Sequence, residues 1–163
     1  MKQIVLLFLL FFSLDISSQE CTEFFLIRHA EKNRSDLENK NPNLNEKGKL
    51  RALKWVEILY GINFDKIYST NYNRTIQTVS PISKKLNIDV SIYSPSALSY
   101  KDFILKNYGN KVLVVGHSNT IPGFVNGLIN EKVYEQINDL NNSNLYTVTI
   151  CDEAVIHNLL YIN

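Results

Sequence analysis

The strongest constraint on the fold is a run of four apolar residues, Val-Leu-Val-Val, at positions 112–115. Three of the four are β-branched, which favours a strand, and no polar residue alternates with them. A strand that is apolar on both faces is typical of a parallel sheet covered by helices on both sides. The run leads directly into Gly116-His117-Ser118, so polar groups stand where this strand ends.

Strand-like and helical segments alternate along most of the chain. Further short strands are predicted at residues 23–27, 66–69 and 88–92, and residues 33–45 are polar and predict a loop. Helices are predicted at about 46–60, 73–86, 98–108 and 120–128. Two last strands, 145–150 and 155–161, predict a hairpin at the sheet edge. The pattern indicates an α/β fold, a three-layer α/β/α sandwich whose mostly parallel sheet ends in an antiparallel C-terminal hairpin.

The first two helices carry more specific local predictions. Asn45 is a candidate N-cap of the first helix, and Gly61 is a candidate end. Apolar residues at helical spacing predict the buried face of that helix: Leu50, Leu53, Val56 and Leu59 or Tyr60. In the second helix Pro81 lies mid-run and predicts a kink or a break.

Charge and length exclude several classes of protein. The chain has 163 residues, which fits one domain, and 17 basic against 16 acidic residues give a net charge of +1. No run of basic residues offers a nucleic acid surface, so nucleic acid is not expected as a partner. With two cysteines, a four-cysteine zinc site is impossible.

Residues 1–19 have the composition of a secretory signal peptide. Lys2 precedes nine apolar residues at 4–12, and small residues follow at Ser13, Ser17 and Ser18. The run is shorter than the roughly 20 residues of a membrane-spanning helix. We expect export to the periplasm or the medium, a mature domain at 20–163, and no membrane span in it. Two alternatives stay open. Residues 1–19 can form a buried first strand or helix, or Cys21 can be lipidated. Bacterial lipoproteins have a small residue before the modified cysteine, and Glu20 at that position argues against lipidation.

The two cysteines lie near the two ends of the mature chain. Cys21 and Cys151 can form a disulfide in an oxidising compartment, or both can remain free. Sequence alone does not give the distance between their Cα atoms, so both outcomes stay open.

Polar clusters follow three of the predicted strands. Arg28-His29 follows the first strand, Arg74 comes shortly after the second, and His117 follows the fourth. Ligands of open α/β sheets bind beyond the carboxyl ends of the strands, so these clusters are expected to converge. Two guanidinium groups suit the oxygens of a phosphoryl group, and a neutral imidazole nitrogen can attack phosphorus. The third histidine, His157, is expected to be structural.

Four ordered segments resemble the histidine phosphatase superfamily, which has the phosphoglycerate mutase-like fold. The segments are LIRHAEK at 26–32, PNLNEKGKLRA at 42–52, IYSTNYNRTIQT at 67–78 and VVGHS at 114–118. Asn45 replaces the family's threonine, and Ser118 stands where glycine is common. The short chain, without a large insert between Gln77 and Val112, is similar to the small phosphatase branch.

The resemblance implies a role for each matched residue. His29 is the expected nucleophile that becomes phosphohistidine, and Arg28, Arg74 and His117 are expected to bind the phosphoryl group and stabilise its transfer. The backbone N–H of Ser118 is a further expected phosphate donor. The family implies no metal and no cofactor, and the expected reaction is hydrolysis of a small-molecule phosphate ester or anhydride.

The proton donor for the leaving oxygen stays open. Many members of the family use a glutamate after the second-arginine helix, but the only carboxylate between Ser91 and Val115 is Asp102. Asp89 lies just before that interval, and Glu31, beside the nucleophile, is a further candidate. A missing donor, which typically contributes about 10²–10⁴-fold, would favour aryl phosphates, phosphoanhydrides or phosphoramidates.

Two other function classes compete with the phosphatase. Gly116-His117-Ser118 after a strand is similar to a serine hydrolase elbow, with Asp139 or Asp152 and then His157 in the expected chain order. Thr120 in place of the final glycine argues against it. The same fold can also serve as a non-catalytic binder of phosphorylated ligands.

Overall fold

The structure, a computed structural model, describes residues 20–162 and contains one six-stranded sheet. The strands are β1 (Thr22–Arg28), β2 (Lys66–Ser69), β3 (Val90–Ile92), β4 (Lys111–Gly116), β5 (Asn144–Cys151) and β6 (Ala154–Tyr161). Their order across the sheet is β3-β2-β4-β1-β5-β6. The first four are parallel, and β5 and β6 add an antiparallel hairpin beside β1. The predicted sheet is confirmed; the signal peptide predicted for residues 1–19 lies outside the described residues.

Helices cover both faces of the sheet, as predicted. They are α1 (Glu46–Ile58), α2 (Asn73–Leu86), α3 (Tyr100–Lys106) and α4 (Thr120–Ile129), with a short 3-10 turn at Pro95–Ala97. Trp55 of α1 and Val79 of α2 pack in one core cluster, and Phe103 of α3 and Phe124 of α4 pack in the other. Within residues 20–162, none of the helices is both long and apolar enough to cross a membrane.

The predicted buried face of α1 is confirmed at its C-terminal end, where Leu59 is buried and Val56 packs against the same core, and is wrong at its start. Leu50 and Leu53 are 68% and 55% exposed, whereas Gly48, Ala52 and Trp55 are buried. The reason is the close approach of the helix to the chain that follows β1: a Cβ on Gly48 would overlap the carbonyl group of Glu31. Small residues therefore face inward near the helix start, and the leucines face solvent. The predicted cap is confirmed, since Asn45 Oδ1 accepts a hydrogen bond from the Gly48 N–H at 2.9 Å.

Of the kink or break predicted at Pro81, the break is wrong, because α2 continues through Pro81 to Leu86. The third predicted strand and third predicted helix are shorter than expected, at Val90–Ile92 and Tyr100–Lys106. The loop at 33–45 and the edge hairpin are confirmed.

The two cysteines are bonded, which decides between the two outcomes that the sequence left open. Cys21 at the start of β1 and Cys151 at the end of β5 have Cα atoms 4.4 Å apart. Their separation of 130 residues means that the bond closes nearly the whole described chain. In the chain-entropy description, a loop of that size stabilises the fold by roughly 5 kcal/mol.

The carboxyl ends of β1, β2 and β4 lie side by side at one edge of the sheet. Arg28 is in register with Gly116, and Ser69 is in register with Val115. Gly116 is required here because a Cβ would come within 2.8 Å of the Tyr93 hydroxyl oxygen. The chain therefore leaves three neighbouring strands at the same edge, where the predicted polar clusters meet.

Candidate active site

His29 stands immediately after β1 and is held at both its backbone and its ring. Its N–H donates to the Gly116 carbonyl at 2.9 Å, and its own carbonyl accepts from Asn142 Nδ2 at 2.8 Å. Ring nitrogen Nδ1 lies 2.7 Å from the Ala30 carbonyl oxygen. Because a carbonyl oxygen can only accept, Nδ1 carries the proton. Nε2 is therefore left with its lone pair.

The environment of His29 keeps its ring neutral. The side chain is 4% exposed, and burial lowers its pKa to about 3, with Arg28, His117 and Arg74 adding further positive charge nearby. The hydrogen bond to Ala30 acts in the opposite direction but is outweighed. At neutral pH, His29 is thus an uncharged base with a free Nε2 lone pair.

Two residues of α2 fix the backbone around the nucleophile. The Thr78 hydroxyl accepts from the Ala30 N–H at 2.8 Å and donates to the Arg74 carbonyl at 2.6 Å. Gln77 accepts from the Leu44 N–H at 2.8 Å. Both residues lie in the segment 67–78 quoted above. Their hydrogen bonds connect α2 to the segment that carries His29 and to the chain just before α1.

His117 follows β4, and its ring is oriented by a chain of hydroxyl groups. Its Nε2 lies 2.9 Å from Thr70 Oγ1, which lies 3.1 Å from Thr75 Oγ1, which in turn lies 2.8 Å from the Thr70 carbonyl. Because the carbonyl only accepts, each hydroxyl donates along this chain, and Nε2 of His117 must also donate. The lone pair of His117 therefore sits on Nδ1, 3.4 Å from Arg74 Nη2.

The two histidines meet, as predicted. Their ring centroids are 5.4 Å apart, with the rings inclined at 66°. Burial, together with the positive charges of Arg74, Arg28 and Lys32, lowers the pKa of His117 to about 4. An anion bound between the rings would offset these charges and allow His117 to take up a proton at Nδ1 and donate it to the anion.

Arg28 is 2% exposed and is largely engaged by the loop that precedes β5. Nη1 donates to the carbonyls of Asn138, Asp139 and Asn141 at 2.9–3.0 Å, and Nη2 donates to Asp139 Oδ1 at 2.6 Å. Nε is buried and has no hydrogen-bond partner among residues 20–162. This N–H is therefore available to a phosphoryl group.

Arg74, at the start of α2, has weaker contacts. Nη1 lies 3.4 Å from the Lys40 carbonyl, and the guanidinium carbon lies 4.4 Å from the centre of the Tyr72 ring. Its Nε is buried and, within the described chain, also lacks a hydrogen-bond partner. Ser118, half-buried beside His117, accepts from the Ile137 N–H at 3.0 Å through its carbonyl.

The two proton-donor candidates lie in different places. Glu31 accepts three hydrogen bonds of 2.8–3.0 Å from Arg51. Burial raises the pKa of Glu31, but Arg51 and Lys47 outweigh burial and hold the pKa below its usual value. Asp102 is exposed in the first turn of α3 and lines neither concavity at this edge.

Two concavities open beside the histidines. The larger, of about 700 Å³, is lined by His117, Arg74 and uncharged side chains of Tyr72, Ser94 and Asn119, among others. The smaller, of about 200 Å³, is lined by His29 together with Lys32, Arg34, Lys47, Glu31 and Asp139. Sequence reasoning assigned no role to Lys32 or to Arg34, although Lys32 lies inside the quoted motif. Across residues 20–162, no group of three or more His, Cys, Asp or Glu is arranged to hold a metal ion.

Comparisons with known proteins agree with this geometry. Residues 24–94 match the family model described as histidine phosphatase superfamily (branch 1). No curated protein sequence matches the chain.

Several solved phosphatase structures share the fold at low sequence identity. The protein histidine phosphatase SixA complexed with tungstate is 18% identical, and the match covers 85% of this chain and 96% of SixA with a TM-score of 0.68. A phosphoserine phosphatase mutant from Entamoeba histolytica, in complex with phosphoserine, is 17% identical, with 83% and 94% coverage and a TM-score of 0.66. A mycobacterial glucosyl-3-phosphoglycerate phosphatase is 11% identical, with 88% and 99% coverage and a TM-score of 0.64.

The matched segment contains most of β1, His29, Arg74 and the two residues of α2 that fix the backbone around the nucleophile. Residues 24–94 are therefore similar to the histidine phosphatase superfamily, and the described chain shares the fold of the solved phosphatases.

Proposed function

We propose that this protein is a phosphatase that hydrolyses small phosphate monoesters through a phosphohistidine at His29. The observation that carries the proposal is the neutral, buried His29, whose Nε2 lone pair is free and whose ring lies 5.4 Å from that of His117. Two buried guanidinium N–H groups, on Arg28 and Arg74, supply hydrogen-bond donors that a phosphoryl oxygen can satisfy.

In the first step, Nε2 of His29 attacks phosphorus and the bond from phosphorus to the leaving oxygen breaks. The imidazole becomes positively charged as it forms the P–N bond. The hydrogen bond from Nδ1–H to the Ala30 carbonyl, 2.7 Å long, stabilises that charge. Arg28, Arg74 and a protonated His117 would bind the phosphoryl oxygens during transfer, which is the main requirement of phosphoryl transfer.

In the second step, water attacks the phosphohistidine and the P–N bond breaks. The electron pair returns to Nε2, one proton of the water is released, and inorganic phosphate leaves. The protein groups named above perform the charge neutralisation in this proposal, and no metal or cofactor takes part.

The scale of the site favours a small molecule as substrate. A concavity of about 700 Å³ next to His117 and Arg74 lies within the usual size range of small-ligand pockets. The three solved phosphatases above are named for three different substrates, so the shared fold does not choose among them. The proposal therefore names the bond that is broken, a phosphate ester or anhydride, rather than one metabolite.

We also propose that the protein works outside the cytoplasm, after removal of residues 1–19. The Cys21–Cys151 disulfide supports this proposal, because disulfides persist in oxidising compartments. Lipid attachment at Cys21 would compete with that disulfide for the same sulfur.

The serine hydrolase alternative receives no support from the geometry. His157 lies on β6, and its Nδ1 is 2.8 Å from the Tyr134 hydroxyl oxygen, so it is engaged away from Ser118. The remaining alternative, a non-catalytic binder of phosphorylated ligands, differs from the enzyme only in turnover.

The test is hydrolysis of 4-nitrophenyl phosphate by residues 20–163 with a chelator present. We expect turnover in the wild type, inhibition by vanadate, and loss of turnover in His29→Ala, because no other group can form the covalent intermediate. His157→Ala is the matched control and should retain turnover. An acid-labile phosphoryl adduct should be trapped on the wild type and be absent from His29→Ala.

Two results would decide against the enzyme. Turnover that persists in His29→Ala would reject the phosphohistidine. No turnover in any variant, with vanadate still bound by the wild type, would identify a phospho-ligand binder.

A further inference from the structure

The mechanism above leaves one task without a residue, the delivery of a proton to the leaving oxygen. Of the two carboxylates beside His29, Glu31 is bound by Arg51, and Asp139 is bound by Arg28 and Arg34 at 2.6 and 2.7 Å. Burial raises the pKa of Asp139, but the hydrogen bonds from the two arginines outweigh burial and hold the pKa below its usual value. Both groups are therefore ionised at neutral pH and have no proton to give.

Lys32 is placed differently from the other cations of the smaller concavity. Lys47 lies 3.5 Å from Glu31, and Arg34 lies 2.7 Å from Asp139. Lys32 is half-buried, lines the concavity together with His29, and makes no ion pair with any residue from 20 to 162. Its ammonium group thus has free N–H donors beside the nucleophile.

We propose that Lys32 is the general acid of the proposed phosphatase reaction and donates a proton to the leaving oxygen. The inference rests on the proposed function and deepens it.

The direction of departure agrees with this placement. His29 is 4% exposed and attacks from the buried floor of the site, so an in-line leaving group departs outward, toward the open side. Lys32 is more exposed than His29, and its charge acts on His117 while Arg74 and Arg28 act on it. Lys32 and His29 line the same concavity, so Lys32 stands on the side toward which the leaving group departs.

The surrounding charges make Lys32 a better acid than an ordinary lysine. Burial lowers its pKa most, and Arg34, Arg74 and Arg28 lower it further, while Asp139 raises it. His117, the other titratable group facing it, is neutral in the free protein. A lysine whose pKa is lowered gives up its proton more readily than an ordinary lysine, which suits a general acid.

The proton balance closes over the two steps. As the P–N bond forms and the P–O bond breaks, one Nζ proton of Lys32 moves to the leaving oxygen, and the alcohol departs neutral. The neutral amine then accepts a proton from the water that attacks the phosphohistidine. The ammonium is restored, and the net reaction consumes one water.

The test compares Lys32→Met and Lys32→Arg on substrates with different leaving groups. Phenyl phosphate has a poor leaving group and 4-nitrophenyl phosphate has a good one. For phenyl phosphate we expect kcat to fall about 100-fold in both variants, within the roughly 10²–10⁴-fold contribution of a general acid. For 4-nitrophenyl phosphate we expect less than about a threefold change, because that leaving group needs little protonation.

Arginine is the decisive substitution because it keeps the positive charge but does not release its proton in proteins. Lys47→Met, in the same concavity, is the matched control and should show no dependence on the leaving group. The wild-type kcat for phenyl phosphate should decline at high pH as Lys32 loses its proton, and Lys32→Arg should lack this decline.

Each other outcome overturns the proposal. If Lys32→Arg hydrolysed phenyl phosphate as fast as the wild type, Lys32 would contribute only its positive charge and would not donate a proton. Equal losses on both substrates would make it a phosphoryl-binding group. In either case, turnover that still depends on His29 would leave the proposed function intact. If the wild type does not hydrolyse 4-nitrophenyl phosphate at all, the proposed function fails and the role of Lys32 fails with it.

Discussion

The two arginines of the site show that its two halves are built differently. On the His29 side, Arg28 is buried and spends both terminal nitrogens on the loop at 138–141, with contacts of 2.6–3.0 Å. On the His117 side, Arg74 has only contacts of 3.4 Å to Lys40 and His117, besides its position over the Tyr72 ring. The terminal nitrogens of Arg28 are thus held by strong contacts within the protein, whereas those of Arg74 have only long contacts. Stability and turnover should therefore separate between the two halves.

The largest expected effect is on stability, in Arg28→Ala. The substitution removes four hydrogen bonds to the loop at 138–141. The Asn141 carbonyl loses its donor, whereas the Asn138 carbonyl keeps the Asn141 N–H and Asp139 keeps Arg34. Unsatisfied buried polar groups cost about 1–3 kcal/mol each, and we expect a total loss of about 3 kcal/mol because Asp139 can turn to solvent. Urea denaturation measures it. Asp139→Asn, which keeps the three carbonyl contacts, is the control and should lose about 1 kcal/mol or less. Equal losses would show that the ion pair, and not the hydrogen bonds from Arg28 to the loop carbonyls, stabilises the His29 side.

Arg74→Ala should show the opposite pattern. Its contacts are long, so the free energy of unfolding should change by about 1 kcal/mol or less. In contrast, kcat/KM for 4-nitrophenyl phosphate should fall roughly 100-fold, because a charge-assisted contact to the phosphoryl group is lost. Parallel urea and kinetic measurements on both arginine variants test the division. If Arg74→Ala were as unstable as Arg28→Ala, the two halves would not differ.

Two buried threonines extend the same contrast at smaller magnitude. Thr78→Val removes the acceptor of the Ala30 N–H on the His29 side and should cost about 1–2 kcal/mol of stability. Thr70→Val removes the acceptor of His117 Nε2 and should lower kcat/KM roughly tenfold, since the ring loses the bond that fixes its orientation. Both replacements nearly conserve side-chain volume. Reversed phenotypes, with Thr70→Val unstable and Thr78→Val slow, would contradict the comparison.

The fold could be predicted from the sequence because its evidence is local. The strands at 66–69 and 112–115, the second helix and the edge hairpin each show in a few neighbouring residues, and one edge of the sheet then collects Arg28, His29 and His117. The face of α1 could not be predicted in this way, because Gly48 packs against a backbone segment 17 positions earlier, and a pattern of leucines does not show it.

The site contacts that sequence reasoning missed share one property. Asp139 contacts Arg28 across 111 positions, and the engagement of Glu31 by Arg51 is likewise a tertiary contact. Whether a carboxylate can act as a proton donor depends on such partners, which a linear motif does not contain. The sequence shows Lys32 as a cation three residues after the nucleophile, which is only a weak indication of a role in the site. Its lack of an ion-pair partner among the described residues can be seen only in the structure.

The smallest expected contrast is between the titrations of the two histidines. Burial lowers the pKa of His29 to about 3 and that of His117 to about 4, below the value of about 6.5 in an unfolded chain. The unfolded chain therefore binds more protons below pH 6.5. The stability contribution of neutral burial is complete above that pH and is lost as the pH falls, through about 4 for His117 and about 3 for His29.

Histidine ring signals followed by NMR should show no titration of His29 or His117 between pH 5 and 8 in the free protein. Added phosphate should raise the pKa of His117, by about one unit or more, because the anion offsets Arg74 and Arg28. His29 should stay neutral, since its Nε2 lone pair faces the ligand and its Nδ1–H continues to donate to the Ala30 carbonyl. A titration of His29 near pH 6.5 would mean that the nucleophile is more exposed to solvent than the structure has it. The His29 side would then not be the more firmly held of the two halves, contrary to the comparison above.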